Sequence, residues 1–138
     1  MDRTRTLKLF LYTAATALLF WWPLSHWFYS DWYHTLLGFE PGTYPDGMVK
    51  MIGTCGIFPV TLAFLAARNP AANRTAVITL IFGAAVLGLT FVHLIAAGHF
   101  PQREYANVAL CFLTAGFLAL LYPWQGKRPY KQPLKKRC

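Results

Sequence analysis

The chain has 138 residues, of which 56% are hydrophobic, 17% aromatic and only 13% charged, with a formal net charge of +8. The charged share is about half that of an ordinary soluble domain. So much apolar side chain excludes a disordered chain and leaves a small soluble domain without room to hide it. The composition therefore reads as an integral membrane protein. The positive charge does not read as a nucleic-acid footprint. Six of the thirteen basic residues lie in the last twelve positions, most of the others flank apolar runs, and no basic stripe alternates with aromatics. Cys55, Cys111 and Cys138 form no CxxC pair and no metal-ligand spacing. Cys55 and Cys111 fall inside apolar runs and read as buried thiols.

The first apolar run extends from Leu7 to about Leu24, after Arg3, Arg5 and Lys8. It starts like a signal peptide but is long and leads into Trp21, Trp22 and Pro23 rather than a small-residue cleavage site, so an uncleaved span is expected. The long connection 25–46 is rich in aromatics and carries Gly38, Pro41, Gly42 and Pro45 as turn residues. Four of the five tryptophans lie within WWPLSHWFYSDWYH, residues 21–34. Indole rings favour the headgroup layer, so residues 24–37 are expected to form a short helix in the outer interface.

The second run, 47–67, carries Gly53, Gly56, Pro59, Ala63 and Ala67, small residues that let membrane helices approach closely. Pro59 removes a backbone donor and is expected to kink this span. Thr54 and Cys55, about one turn earlier, are placed to satisfy the freed groups. RNPAANRT, residues 68–75, reads as a short polar turn. The third run is 76–98, with small residues at Ala84, Gly88 and Ala96. GHFP, residues 98–101, reads as a very tight turn, and the fourth run is 101–122. Each run approaches the roughly 20 residues needed to cross hydrocarbon as a helix. The expectation is an all-α integral membrane four-helix bundle over residues 1–124, with a short interfacial helix in its first outer loop, followed by a basic cytoplasmic tail, 125–138.

Charge fixes the expected orientation. With both termini and the 68–75 turn on the cytoplasmic side, eleven of the thirteen basic residues lie there. Only Lys50 and Arg103 lie opposite, together with Asp31, Glu40, Asp46 and Glu104. The expected location is a bacterial inner membrane. The tail is expected to lie near anionic headgroups of the inner leaflet.

Three of the four histidines and four of the five acids concentrate toward the outer face: His26, His34 and His99, with Asp31, Glu40, Asp46 and Glu104, beside Lys50 and Arg103. Two readings stand: a periplasmic-facing site for a metal, a quinone or a small substrate, or a wet rim holding groups that lipid excludes. No HExxH or related ligand spacing occurs, so no metal site and no catalytic residue is expected. His93 lies inside the third span, where an ionisable side chain is either functional or hydrogen-bonded to a neighbouring helix. Glu104, Asn107, Cys111 and Thr114 are spaced 3, 4 and 3 apart and line one helical face. The tight turn centred near residue 100 puts His93 and Asn107 at similar depth, so both are expected to face the interior and bond one another. Candidate binding residues are thus His93, Asn107, Glu104, Lys50 and His99. No cofactor is assigned; a quinone leads if there is one.

Four spans, a long first outer loop and a glycine-containing second span after LLGFEP and YPDG resemble the DoxX-like group of small bacterial membrane proteins. The BphX-like members, found with aromatic-degradation genes, are similar in size. The resemblance implies a four-helix inner-membrane bundle, and for some members a place in quinone-linked oxidoreductases; it transfers no functional residue. The favoured reading is a non-enzymatic accessory or assembly subunit whose partners are the lipid bilayer, other membrane subunits or a homo-oligomer, and not nucleic acid. A quinone-binding or redox subunit with its site between spans two to four is the alternative. A transporter of a small hydrophobic compound comes third, since no inverted repeat is visible.

Overall fold

A computed structural model describes residues 3–40 and 42–122. Among these, all regular structure is helical. Helix α1 runs Arg3–Phe28, α2 Ser30–Leu37, α3 Asp46–Arg68, α4 Arg74–Ala96 and α5 Gln102–Leu121. Helices α1, α3, α4 and α5 are long and apolar enough to cross a membrane. The ends of α3, α4 and α5 lie within two residues of the expected spans. The basic tail, 125–138, lies outside the described residues.

The first helix differs from expectation. It does not stop near Leu24 and hand over to an interfacial helix 24–37; it continues to Phe28, and the break comes at Tyr29 (φ −137°, ψ 34°). Proline deprives the ladder of one N–H, yet Pro23 sits in a single π-helical stretch, Phe20–Leu24, that absorbs the defect. Ser25 Oγ lies 2.7 Å from the Trp21 carbonyl and 2.9 Å from that of Trp22, so its hydroxyl covers oxygens loosened by the irregular turn. Helix α2 then ends on Gly38 in the left-handed region (φ +91°), with the Phe39 amide donating to the His34 carbonyl, a glycine C-cap. A Cβ at Gly38 would also lie 3.3 Å from both Pro101 and the Arg103 stem, so this cap seats α2 against the turn before α5.

The long helices pack in a closed ring: α1 on α3, α3 on α4, α4 on α5, and α5 back on α1. Successive helices run antiparallel, which brings together the start of α1, the end of α3, the start of α4 and the end of α5. The main hydrophobic core lies at that end, from Leu7, Leu11, Ala66, Ala67, Val77 and Leu118, with the Tyr122 ring packed among them. On α3, Gly53, Gly56, Val60, Ala63 and Ala67 are buried, a repeat of 3, 4, 3 and 4 that keeps one seam turned inward. Away from that seam, Phe58, Phe82, Leu89, Leu113 and Leu120 point outward and are exposed.

The expected irregularity in α3 falls at Gly56, three residues before Pro59, where the helix divides into Asp46–Cys55 and Ile57–Arg68. Thr54 does not serve the carbonyls freed by Pro59: its hydroxyl donates to the Lys50 carbonyl at 2.9 Å and accepts from Trp27 Nε1 at 3.2 Å. Cys55 is exposed rather than buried, because it sits roughly 200° around the helix from the inward-facing Gly53. Cys111 is half-buried.

Gly53 and Gly56 set the separation of α1 and α3. A Cβ on Gly53 would lie 2.7 Å from His26 Cβ and 3.3 Å from the Pro23 carbonyl, whereas Gly83 and Gly116 have nothing within 4 Å. Gly53→Ala should therefore destabilise the protein by about 1–3 kcal/mol, the usual cost of overpacking. Gly83→Ala and Gly116→Ala should be neutral or slightly stabilising. Thermal unfolding in one detergent, followed by helical circular dichroism, checks the contrast.

Candidate functional site

Opposite the apolar core, the other end of the ring is polar and aromatic. The first turns of α5 supply Glu104 and Asn107, both buried at 3% and 7% exposure. They lie three residues apart on the face that also buries Val108, Ala115 and Leu118, as the spacing of the polar positions implies. Cys111 and Thr114 continue that face half-buried. Asn107 uses both ends of its amide. Its Nδ2 donates to Glu104 Oε2 at 2.7 Å, and its Oδ1 accepts from Trp21 Nε1 of α1 at 2.8 Å. Among the described residues no cation lies within ion-pair distance of Glu104: Lys50 is 2.7 Å from Asp46, one turn away on α3.

Helix α2 closes over this network. Tyr33 and Leu37, one turn apart, face inward. The Tyr33 ring meets Trp21 edge-on at 5.3 Å and the His26 ring at 4.8 Å. His26 is itself fixed, with Nδ1 2.8 Å from the Trp22 carbonyl, a bond in which that nitrogen carries the proton. A second aromatic chain crosses the same end. His34 packs on Tyr44 and Phe39, Phe39 on Phe100, and Phe100 on Phe91. Burial pushes the Tyr33 phenol above its ordinary range; the Asn107 hydrogen bond opposes the push and the Glu104 charge adds to it. Burial lowers the His34 imidazole, with Asp31 opposing.

Of the five candidate residues, the structure brings together two, Glu104 and Asn107. Lys50 is spent on Asp46 at the protein surface, and His99 is exposed in the turn after α4. His93 does not meet Asn107; it is exposed. The register behind that expectation is sound, since Gly88 packs on Cys111 and Phe112, pairs whose numbers sum to 199 and 200. Rotation is what differs: Gly88 and Ile95 are the buried residues near this end of α4, and His93 lies roughly 140–160° around the helix from both.

The residues that complete the cluster, Trp21, Ser25, His26 and Tyr33, were absent from that set. Trp21 read as a headgroup tryptophan, and Tyr33 as part of a loop helix with no partner. The signal for Tyr33 was its spacing with Leu37, which marks an inward stripe on α2. Chemically, the cluster joins a carboxyl, an amide, an indole, a phenol and an imidazole. Among the described residues, every fully buried side-chain nitrogen or oxygen has a partner, and no group of three His, Cys, Asp or Glu side chains is placed to hold a metal ion.

Asn107→Ala should cost about 1–2 kcal/mol, since it removes an interhelical hydrogen bond and strands the indole and the carboxyl. Glu104→Gln, which still offers an acceptor to Nδ2, should stay within about 0.5 kcal/mol of the parent. Equal losses in the two variants would show that charge, not hydrogen bonding, holds the cluster. His34 adds a pH dependence of fixed sign. Its folded pKa lies below the ordinary 6.5, so the unfolded chain takes up the proton first. Its contribution is level above pH 6.5 and is lost as pH falls from 6.5 through the folded value, and His34→Phe should flatten that slope in unfolding titrations. The chain matches no known family profile, no curated protein and no solved structure.

Proposed function

We propose that this chain is a four-span integral protein of a bacterial inner membrane, both termini cytoplasmic, acting as a non-enzymatic accessory or assembly subunit. Four long apolar helices and the outward-facing Phe58, Phe82, Leu89, Leu113 and Leu120 support the membrane setting. The distribution of basic residues supports the orientation. The observation that carries the accessory role is the Asn107 network. The buried polar groups that a ligand would use are spent on one another, joining α5 to α1 beneath α2. Such a network serves to hold a cap in place. The resemblance to DoxX-like and BphX-like proteins is compatible with this role.

A second reading, a subunit that binds a quinone or another small ligand, draws on one observation: Glu104, Tyr33 and His26 are buried near one another at the same end of the ring. An ultraviolet–visible spectrum and mass spectrometry of the gently purified full chain separate the two. The accessory reading expects no chromophore and no quinone at one-to-one stoichiometry; either one overturns it. For topology, reporter fusions at Ala72 and Lys131 should report cytoplasm and a fusion within 38–44 the opposite side. A periplasmic signal at Ala72 would invert the map.

A further inference from the structure

Helix α2 has a second apolar face that the protein itself does not cover. Tyr33 and Leu37 point inward, while Trp32 and Leu36 point away, Trp32 being 63% exposed. Two open grooves meet at Trp32. One runs along the end of α1 and is lined by Phe20, Leu24, Ser25, Phe28, Tyr29 and Trp32. The other lies along α2 and is lined by Asp31, Trp32, Thr35 and Leu36. The first is mostly apolar; of its two lining hydroxyls, that of Ser25 is already bonded to backbone carbonyls and the other is the Tyr29 phenol. The second carries a carboxylate and a hydroxyl. Neither has a lysine or arginine in its lining.

We propose that the two grooves together seat one phospholipid whose headgroup ends in an ammonium, its acyl chain along Phe20, Leu24 and Phe28 and its ammonium over Trp32 beside Asp31. The inference rests on the membrane reading above. Three features select this occupant. The apolar groove is continuous with the outward surface of a helix able to cross a membrane, Phe20 lying well inside α1. Trp32 and Tyr29 stand where the chain turns from that helix into α2, the level at which amphipathic rings meet headgroups. The charge at the site is that of Asp31, which attracts a cation and repels an anionic headgroup; the indole face adds a cation–π contact. The hydroxyls of Thr35 and Tyr29 are the donors available to the phosphate.

The test is native mass spectrometry of the full chain in detergent micelles, supplied with equal amounts of phosphatidylethanolamine and phosphatidylglycerol bearing the same acyl chains. One retained phosphatidylethanolamine is expected, in about two- to fivefold excess over phosphatidylglycerol, the ratio that an exposed pair of opposite charges at Asp31 supports. Asp31→Asn should bring the ratio close to one while lipid is still retained, and Trp32→Ala should reduce retention of both lipids. Both side chains are exposed, so helical content should be unchanged in the variants. A parent chain that retains the two lipids equally or prefers phosphatidylglycerol overturns the proposal. So does an Asp31→Asn variant that keeps the preference, or a Trp32→Ala variant that retains lipid as the parent does. Failure of the membrane reading is a different result: a chain that stays monodisperse in buffer without detergent or lipid.

Discussion

An amide side chain has a donor and an acceptor on one rigid plane, and in apolar surroundings both must be used. Asn107 meets that demand with partners from two directions, the Glu104 carboxyl on its own helix and the Trp21 indole on α1. The ring that contacts this indole belongs to Tyr33 of α2. One planar group thus ties together the first helix, the last helix and the segment that covers them. The opposite end is largely apolar. There Leu7, Leu11, Val77 and Leu118 interlock by shape, and no directional bond fixes their orientation. Shape-fitted apolar side chains dominate at one end, where the Asn73 amide also donates to the Leu65 carbonyl, and the Asn107 hydrogen bonds dominate at the other.

Proximity between α1 and α3 is the second requirement, because Trp21 and His26 take their places only if the irregular end of α1 lies close against its neighbour. Gly53 and Gly56 make this possible, their missing side chains leaving room for His26, Trp22 and Pro23. A proline in α1 and glycines in α3 would each weaken an isolated helix. Here they are complementary: the bulge on one helix fits the depression on the other. Local propensity yields to packing at this one place, and it is the place where the polar cluster is built.

Much of the architecture was legible in the residues. Length and continuity of the apolar runs located α3, α4 and α5, and the 3-4-3 spacing from Glu104 to Thr114 identified the inward face of α5. Sequence reasoning failed where position depends on a helix's rotation or on a compensated defect. His93 had the correct depth, but depth says nothing of azimuth, and the small residues on the other side of α4 decide which face turns inward. The first span read as ending near Leu24, where the apolar run gives way to an aromatic segment, yet the helix passes through Pro23 and beyond. The hydroxyl of Ser25, two residues later, lets the chain continue to Phe28. Tyr33 and Trp21 were visible as aromatics but not as neighbours, since 12 positions and a break in the helix separate them.

The π-helical stretch at Phe20–Leu24 also fixes a phase. An α-helix advances about 100° per residue, and a wider turn delays everything after it by the angle of one extra residue. Residues after the stretch therefore face a direction that a regular helix of the same sequence would not give them relative to those before it. Deleting one residue from this stretch would shorten the chain by a step of only about 1.5 Å. It would also turn Ser25, His26 and Trp27 about 100° about the axis. The segment is thus an angular spacer: its length sets which way the last turn of α1 faces, and so on which side of the bundle α2 can come to rest.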